Sequence, residues 1–454
     1  MWARATSPAL PGIESTALEL TIEKLVYGGD GLARLPADEH GRGKAVFLPF
    51  VIEGEKVEAT LVEQKPGFAR GRADRLLEAS SHRVEPRCPY FQRCGGCHYQ
   101  HTNYEHQLEI KAAILKENLR RIAKLELDQE LKVHASPPWN YRNRTRLKLQ
   151  TAPEFALGYH KFNSHDLLPV QQCPISSALI NRAIAALWQA FGGRASPPGQ
   201  GLDGIQEIEF FANSDDTQLL VEAYCAPDTR QALARQQAKE LKEVLPEVAG
   251  VVVAKGGTEA RGPAQSEPLA TAGAGELTYQ TQRASYRVSA GSFFQVNRHL
   301  TDQLVTLVTA GRSGRTALDL YAGVGLFSSV LSREFERVIA VESSPLSYAD
   351  LRYNSFANVK AVQAMSEQYL KNVAGKLQPD LVVVDPPRNG LGESVLHALV
   401  SLGAPRMTYV SCDPATLSRD LGRLLNSGYR AEQAHMVDLF PQTYHLESVF
   451  HLVR

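Results

Sequence analysis

Short apolar runs separated by glycine-rich turns characterise the first part of the chain. Apolar and polar residues alternate at 20–25, 45–49 and 55–62, and a glycine-rich turn lies at 27–31. Such alternation is typical of half-buried strands, and several short strands in so few residues predict a small β-barrel. Its later part carries cations that indicate either a basic rim or a solvated edge strand: Lys65, Arg70, Arg72 and Arg75.

The middle of the chain mixes helical and strand patterns. The predicted helices span 104–125, 177–191 and 230–245, and the predicted strands span 205–211 and 218–223. Two polar stretches rich in glycine and proline, 192–204 and 256–275, are predicted to be surface loops. This combination predicts a mixed α+β region.

After residue 290 strands and helices alternate. A helix is predicted to open after 291–297, with Asn297 as its N-cap. The predicted strands are 316–320, 337–341, 359–363, 380–385, 406–411, 435–439 and 449–453. This alternation predicts an α/β fold with a parallel, doubly wound sheet. The predicted organisation is a loose tail at 1–15, the β-barrel at 16–76, the α+β region at 77–290 and the doubly wound domain at 291–454.

Composition narrows the possible partners. The chain has 454 residues, and 49 Lys and Arg balance 49 Asp and Glu, so the formal net charge is zero. This balance argues against nonspecific binding of polyanions, and any contact with nucleic acid would come from local patches. No apolar run has membrane-spanning length, and the first residues lack the apolar core of a secretory signal. Six cysteines in so long a chain predict no disulfide framework, and a cytoplasmic location follows.

Four of the cysteines have the spacing of a metal site. Cys88, Cys94 and Cys97 lie within ten residues, and Cys173 follows much later. Two glycines separate Cys94 from Cys97, and glycine lets the backbone curl so that both sulfurs point at one centre. Four thiolates complete the ligand set of either zinc or an iron–sulfur cluster, and the spacing leaves both open. Unrelated buried thiols are the alternative.

A row of cations follows the first predicted helix. Along 141–149 every second residue is basic: Arg142, Arg144, Arg146 and Lys148. In a strand these side chains share one face, and without an interleaved acid they repel each other unless an anion is present. The row therefore favours a face that contacts nucleic-acid phosphates over a solvated sheet face.

The first strand of the doubly wound domain runs into a glycine loop at 319–327, which contains Gly323 and Gly325. Glycines at this edge of a sheet let the backbone approach a ligand. The second strand ends in Glu342, at the right distance along the chain for an acceptor of ribose hydroxyls. Because a third glycine is missing, an adenosine ligand without phosphates fits better than a dinucleotide. S-adenosylmethionine is the commonest such cofactor.

Three further residues stand at strand ends. Asp385 precedes two prolines that would hold it rigidly at the same edge, although it could simply cap a loop. Cys412 follows the fifth strand directly, where a thiol can reach a ligand, although a lone cysteine there more often packs. Glu447 begins the last strand, where desolvation would raise its pKa toward that of a general base, although such a glutamate is usually a surface residue.

Together these motifs resemble the RNA uracil-C5 methyltransferases, S-adenosylmethionine-dependent enzymes that make 5-methyluridine in ribosomal and transfer RNA. The resemblance covers nearly the whole chain and rests on five blocks in order: 293–297 (Phe-Phe-Gln-Val-Asn), 319–325 (Asp-Leu-Tyr-Ala-Gly-Val-Gly), 385–388 (Asp-Pro-Pro-Arg), 411–414 (Ser-Cys-Asp-Pro) and 445–449 (His-Leu-Glu-Ser-Val). Residues 16–76 look like the family's TRAM barrel, an RNA-binding module. The four cysteines are similar to the 4Fe–4S site of one large branch, which implies iron rather than zinc.

The resemblance also implies roles for individual residues. Gln295, Tyr321, Glu342 and Asp385 would line the site for the cofactor and the target base. Cys412 would be the nucleophile that attacks uracil C6, and Glu447 the general base. The sequence departs from the family's pattern at Leu326, where some members carry asparagine, and at Met365-Ser366, where an acidic residue near the adenine is expected.

The expected partner is RNA. The iron–sulfur branch favours 23S ribosomal RNA as substrate, and a transfer-RNA loop uridine is the alternative within the same reaction class. A non-catalytic RNA-binding iron–sulfur protein is the alternative from another class, and the presence of both Cys412 and Glu447 argues against it.

Overall fold

A computed structural model of the protein describes residues 17–36, 41, 43–127, 130–193, 199–245, 247–256 and 268–454. The predicted tail at 1–15 and parts of both predicted surface loops lie outside these residues. The chain forms two compact units. One comprises the described residues up to Gln92 with Cys97–Ile114 and Gln442–Tyr444, and the other Arg93–Gly96, Leu115–Pro441 and His445–Arg454. The domain boundaries given above stay predictions.

The first unit contains one six-stranded sheet. Its strands are β1 (Leu18–Thr21), β2 (Lys24–Leu25), β3 (Asp30–Arg34), β4 (Ala45–Pro49), β5 (Lys56–Gln64) and β6 (Phe68–Glu78). They are arranged in the order β1-β5-β6-β4-β3-β2. Val57 and Ala59 of β5 are fully buried, whereas Lys56 and Glu58, which precede each of them, are half-buried. This is the alternation predicted from the sequence. Helix α1 (Tyr104–Asn118) follows, and a π-helical turn (Leu119–Ala123) continues it.

The predicted basic rim of this sheet is ion-paired. Arg70 Nη1 lies 3.2 Å from Asp30 Oδ2, and Arg70 Nε lies 3.6 Å from Glu63 Oε2. Arg72 Nη2 lies 2.8 Å from Asp74 Oδ1. Both arginines are about half exposed, so these pairs contribute little to stability and can exchange with a phosphate group.

A seven-stranded sheet forms the central part of the second unit. Its strands are β8 (Arg144–Gln150), β9 (Ala156–His160), β10 (Leu167–Pro169), β11 (Ile205–Ala212), β12 (Leu219–Cys225), β13 (Val248–Lys255) and β14 (Pro268–Gly273), in the order β10-β9-β8-β11-β12-β13-β14. Helices α2 (Ala178–Phe191) and α3 (Gln231–Val244) accompany it. A hairpin, β15 (Glu276–Gln280) and β16 (Ser285–Ser289), then leads on to the last sheet.

The row of cations on β8 is not a free phosphate-binding face, and the interpretation that no acid compensates it is wrong. The neighbouring strand β11 places Glu209 between Arg144 and Arg146, with Arg146 Nε 2.7 Å from Glu209 Oε2. Glu222 on β12 lies 3.3 Å from Arg144, and Glu207 pairs with Lys148. These acids follow the cations by about sixty to eighty residues along the chain, so no local pattern reveals the pairing.

An eight-stranded sheet forms the rest of the second unit. Its strands are β7 (Lys132–His134), β17 (Gly314–Leu320), β18 (Phe335–Glu342), β19 (Val359–Gln363), β20 (Leu381–Val384), β21 (Arg406–Ser411), β22 (Arg430–Val437) and β23 (Glu447–Val453). The helices that follow or separate them are α4 (Thr301–Thr309), α5 (Ser328–Leu331), α6 (Pro345–Asn354), α7 (Ser366–Val373), α8 (Glu393–Leu402) and α9 (Pro414–Asn426). Asn297 does not cap α4, which begins four residues later. Its side chain instead accepts from the amides of His299 and Leu300.

The order of this sheet is β19-β18-β17-β20-β21-β23-β22-β7, and β17, β18, β19, β20 and β21 run parallel. The predicted α/β, doubly wound fold is therefore confirmed. The chain order reverses between β17 and β20, and ligands bind in the crevice at such a point, outside the carboxyl ends of the strands.

The last strand differs from the prediction of a wholly parallel sheet. β23 lies antiparallel between β21 and β22. Only nine residues, 438–446, connect β22 to β23, and a parallel crossover needs a dozen or more. The short connection therefore forces the antiparallel pairing, and it brings the beginning of β23 to the edge at which β21 ends.

Candidate active site

Five of the predicted site residues lie where strands of the eight-stranded sheet begin or end. Tyr321 follows β17, Glu342 ends β18, Asp385 follows β20 and Cys412 follows β21, while Glu447 begins the antiparallel β23. Because carboxyl ends of parallel strands share one edge, and β23 starts at that edge, all five residues lie at the same edge of the sheet.

The pairing of β21 with β23 brings Cys412 and Glu447 together. Ser411 lies opposite Ser448 in the antiparallel register, and Ser448 Oγ donates to the carbonyl oxygen of Ser411 at 3.2 Å. Cys412 follows Ser411 and Glu447 precedes Ser448, so the two residues flank this pair on the same side, and the charge of Glu447 acts on the Cys412 thiol. Asp413 ends the strand by accepting from the amide of Thr416 at 2.8 Å, which starts helix α9.

The electrostatics of this edge disfavour negative charge. Burial raises the pKa of the Cys412 thiol to about 12, and the acids Glu447 and Asp385 add to the effect. Burial likewise raises the pKa of Glu447, which is 5% exposed, well above its usual value, and the charge of Asp385 raises it further. Burial and the neighbouring Asp319 raise the pKa of Asp385 to about 7.

No hydrogen bond lowers the pKa of Asp385 or Glu447, so desolvation and the neighbouring acids dominate both groups. Glu447 is buried and Asp385 is half-buried, and neighbouring acids with strongly raised pKa values are typical of functional sites. Arg388 is a cation that favours the charged forms of Cys412 and Glu447, because it lowers the pKa of both groups. It belongs to the Asp-Pro-Pro-Arg motif, from which no role was predicted for it.

The glycine loop and Glu342 form a preorganised cradle. Glu342 Oε2 accepts from the amide of Gly323 at 2.9 Å, and its Oε1 accepts from the amide of Ser344 at 2.6 Å. Gly323 has a φ of +55°, and a side chain there would meet nothing within 4 Å, so the space beside this backbone is open to a ligand. Gly325 has a different reason to be glycine, because a Cβ would lie 2.9 Å from Leu351 Cδ1.

The remaining cofactor candidates have distinct environments. Tyr321 has a φ of +63°, which is rare for a residue with a side chain, and burial raises the pKa of its hydroxyl. Gln295 is buried, and it follows Phe294, which packs in the same core cluster as Val410 and Val449 of β21 and β23.

The two departures from the family pattern also differ from each other. Leu326 is a buried core residue whose carbonyl accepts from the hydroxyl of Tyr286 at 2.8 Å. Met365 is 56% exposed at the end of the loop after β19 and leaves an apolar surface where an acid was expected.

The four cysteines proposed as metal ligands are divided between the two units. Cys88 and Cys97 belong to the first unit, and Cys94 and Cys173 belong to the second. Cys94 Sγ accepts from the amide of Gly96 at 3.4 Å. Among the described residues no group of three or more His, Cys, Asp or Glu side chains is arranged to hold a metal ion, so the structure does not show the predicted iron–sulfur site.

No helix in the described part of the chain is both long and apolar enough to cross a membrane.

Comparison with known proteins connects this geometry to a family. Residues 103–454 match the family described as tRNA (Uracil-5-)-methyltransferase, and residues 15–73 match the TRAM domain. An uncharacterized RNA methyltransferase of Aquifex aeolicus is 32% identical over 439 residues, which cover 95% of this chain and 97% of that protein. The 23S rRNA (uracil(1939)-C(5))-methyltransferase RlmD of Shewanella piezotolerans is 31% identical, with 96% of this chain and 95% of that protein covered.

Among solved structures, the Pyrococcus abyssi tRNA (uracil-54, C5)-methyltransferase in complex with S-adenosyl-L-homocysteine has the same fold. It superposes with a TM-score of 0.72 at 22% sequence identity and covers 96% of this chain and 100% of its own. The family match spans more than three quarters of the chain, and both the methyltransferase fold and the TRAM domain expected from the sequence are confirmed. The chain belongs to the tRNA (uracil-5-)-methyltransferase family of RNA-modifying enzymes.

Proposed function

We propose that this enzyme transfers a methyl group from S-adenosylmethionine to C5 of a uridine in RNA, with Cys412 as nucleophile and Glu447 as general base. The observation that supports the proposal is that Cys412 and Glu447 flank the last pair of the β21–β23 register, Ser411 and Ser448, and that the charges of Glu447 and Asp385 act on the Cys412 thiol. A thiol and a base on the same edge suit addition to a ring followed by removal of a ring proton.

The thiol must lose its proton before it attacks. Burial raises its pKa to about 12, so a neighbouring base has to take that proton during attack. Asp385, whose pKa of about 7 allows both protonation states near neutrality, can accept it. The new bond from Cys412 Sγ to C6 moves the C5–C6 electron pair onto C5 and O4. Protonated Asp385 can then donate a hydrogen bond toward O4, where negative charge accumulates.

Glu447 completes the reaction. When bound, S-adenosylmethionine supplies the electrophilic methyl group that the electron-rich C5 accepts. Glu447 then takes the C5 proton, the C5–C6 double bond reforms, and the Cys412 sulfur leaves and recovers its proton from Asp385. The raised pKa of Glu447 makes this buried carboxylate a stronger base than an exposed one.

The cofactor would be held by the cradle at β17 and β18. Glu342 is oriented by two backbone amides and can accept from the ribose hydroxyls, while Gly323 leaves space for the ligand. Tyr321 and Gln295 would contact the cofactor or the target base, and the exposed Met365 offers the adenine ring an apolar surface.

A covalent trap tests the catalytic assignments. RNA that carries 5-fluorouridine should become attached to the wild-type protein, because fluorine at C5 cannot leave as a cation and the adduct persists. Cys412→Ala should form no adduct, while Cys225→Ala, which changes a buried thiol on β12, should trap like wild type. Equal trapping by Cys412→Ala and wild type would refute the nucleophile.

We propose 23S ribosomal RNA as the substrate, which the likeness to the Shewanella RlmD protein supports. A target uridine must leave the base stack to reach a crevice at the end of a sheet, so unpaired loop uridines are expected. The TRAM domain and its exposed arginines are expected to bind the flanking backbone. Labelled S-adenosylmethionine incubated with each purified RNA decides the point, because label in transfer RNA alone would contradict the ribosomal substrate.

We also propose that Cys88, Cys94, Cys97 and Cys173 hold a 4Fe–4S cluster and that the enzyme works in the cytoplasm. The spacing of the four thiols and the amide that Gly96 donates to Cys94 Sγ suit cluster thiolates, which commonly accept backbone amides. The cluster would have a structural role, because methyl transfer needs no electrons. Anaerobically purified protein should absorb visible light and contain iron, and a colourless protein that carries zinc would overturn the assignment.

A further inference from the structure

The turn that precedes Gln295 is held by hydrogen bonds from several other elements. The turn spans residues 289–292 and is closed by a hydrogen bond from the amide of Ser292 to the carbonyl oxygen of Ser289 at 3.0 Å. Gly291 within it has a φ of +82°, which glycine tolerates readily. Three residues beyond the turn comes Gln295, a proposed contact of the cofactor or the target base.

Asp350 of helix α6 holds the turn from one side. It is fully buried and accepts from the amide and the hydroxyl of Ser289, both at 2.7 Å, and from the hydroxyl of Ser292 at 2.7 Å. Arg287 Nε, just before the turn, donates to the same carboxylate at 2.8 Å. Helix α6 begins three residues after Glu342, the proposed ribose acceptor.

Glu222 and Arg144 hold the turn from the other side. Glu222 Oε1, on β12 of the seven-stranded sheet, accepts from the amide of Gly291 at 2.6 Å. Arg144 donates to the carbonyl oxygen of Ser292 and, at 3.3 Å, to Glu222. Asp350 of helix α6 and the Arg144–Glu222 pair of the seven-stranded sheet therefore both hydrogen-bond to the turn.

Helix α6 also hydrogen-bonds to the glycine loop. Asn354 donates to the carbonyl oxygen of Val324 at 2.9 Å and to that of Arg287 at 3.0 Å. One helix therefore connects the three segments proposed to bind the cofactor: the glycine loop, the end of β18 and the segment that carries Gln295.

Burial of the Asp350 and Glu222 carboxylates costs free energy, and the polar groups of most turns bind water instead. The fold therefore has a reason to bury both acids here only if the site requires the turn geometry that they impose. We propose that Asp350 and Glu222 are positioning residues, which fix the 289–292 turn and thereby hold Gln295 in place for the cofactor. This inference rests on the proposed function of the site. Neither residue touches the reacting atoms.

The test is binding of S-adenosyl-L-homocysteine, measured calorimetrically, together with kcat and KM on RNA. In Asp350→Asn the amide group faces donors, so the turn loosens, and we expect the dissociation constant and the KM for S-adenosylmethionine to rise about 10- to 100-fold. The KM for RNA should stay within about twofold, because the RNA-binding surfaces are unchanged. Glu222→Gln should act in the same direction.

Two further variants keep the test decisive. Ser292→Ala removes a single bond to Asp350 and should weaken binding by only a few fold, so it replaces Asp350→Asn if that variant does not fold. Glu247→Gln changes an exposed, ion-paired acid of the same unit in the same chemical way and should bind like wild type. Wild-type affinity in the folded Asp350→Asn, Glu222→Gln and Ser292→Ala variants would overturn the inference. A wild-type protein that binds no S-adenosyl-L-homocysteine would instead overturn the proposed function.

Discussion

The proposed catalytic edge of the eight-stranded sheet, where Asp385, Cys412 and Glu447 lie, and the ion-paired face of β8 both shield charged side chains from water, but the balance of effects on those charges differs. Beside β8, burial alone would raise the pKa of Glu209 on β11, yet the guanidinium groups of Arg144 and Arg146 outweigh it and lower that pKa. At the proposed catalytic edge Arg388 lowers the pKa of Glu447, but burial and the charge of Asp385 outweigh it, and burial also raises the pKa of Asp385.

The difference distinguishes charges with a structural role from charges at the proposed ligand-binding edge. The β8 network satisfies its members within the fold, so it holds two strands and one turn in place. At the strand ends, burial and a neighbouring acid raise the pKa of both Asp385 and Glu447, so the charged form of each group costs stability. Each of the following variants tests one of these two groups of charges.

Glu447→Gln should have the largest effect. The amide cannot take the C5 proton, so we expect kcat to fall by about 10³-fold. Attack by Cys412 and methyl transfer come before that step, so the variant should still trap on 5-fluorouridine RNA, and it should accumulate a covalent adduct on ordinary RNA. Stopped assays with labelled RNA on denaturing gels measure both. Unchanged turnover would show that another group is the base.

Glu209→Gln should have the largest effect on stability. It leaves the largely buried Arg144 and the partly exposed Arg146 beside a neutral amide, which should lower the free energy of unfolding by about 3 kcal/mol. The wild-type carboxylate has a lowered pKa, so its stabilisation is present at neutral pH and is lost as pH falls through the folded-state value. Denaturant unfolding at pH 7 measures the loss. A stable variant would mean that the network is not structural.

Asp385→Asn should do the reverse and stabilise the fold. The folded-state pKa of about 7 exceeds the ordinary value of 3.8, so the folded wild type binds the proton more tightly and loses stability as pH rises from about 4 to about 7. Removing the carboxylate should therefore raise the free energy of unfolding on the order of 2 kcal/mol at pH 8, and much less at pH 4.5. Activity should fall in the same variant.

Asp380, at the other end of β20, is the matched control for Asp385. It accepts from the amides of Thr316 at 2.9 Å and Arg315 at 2.8 Å, and these bonds lower its pKa. Asp380→Asn should therefore lower the thermal midpoint at pH 8, the opposite sign to Asp385→Asn. Thermal unfolding of both variants across pH compares them directly, and shifts of the same sign would contradict the distinction.

Most of the eight-stranded sheet could be predicted from the sequence. The bounds of β21 agree with the predicted strand, because an apolar strand of a covered sheet ends sharply at a polar loop. The bounds of β19 agree as well, although Lys360 and Gln363 of this edge strand are exposed. The strands at the other side of the sheet were harder to predict. β22 begins at Arg430, five residues before the predicted start, since its first half carries the polar alternation of an exposed edge. The three-residue β7 has no pattern of its own.

The site shows the same limit. Read alone, Glu447 resembled a surface residue, and its burial follows from pairing with β21, which the sequence pattern does not encode. The cations of β8 looked free for the opposite reason, because Glu209 and Glu222 lie on other strands. The family motifs drew attention to residues that the sheet brings to one edge, whereas local pattern could not say which charges find partners. Pairing is a property of the tertiary fold.

The smallest effect on the free energy of unfolding is expected for an ion pair that is exposed to solvent. Arg182→Gln breaks an ion pair with Glu247 in the same unit, where Arg182 Nε lies 3.0 Å from Glu247 Oε1. The residue types match those of Arg146 and Glu209, whose Nε–Oε2 distance is 2.7 Å. Exposure is what differs: the Arg182 side chain is 54% exposed and its partner 35%, against 31% and 9% in the network.

Water and dissolved ions already solvate the exposed pair, so we expect Arg182→Gln to change the free energy of unfolding by less than about 0.5 kcal/mol, and by less still in 1 M salt. The Glu209→Gln loss should persist in the same salt, because screening ions do not reach a buried network. Denaturant titrations at two salt concentrations compare the variants. If both lost equal stability, distance and residue type would decide the strength of these pairs, and burial would not explain the contrast between β8 and the catalytic edge.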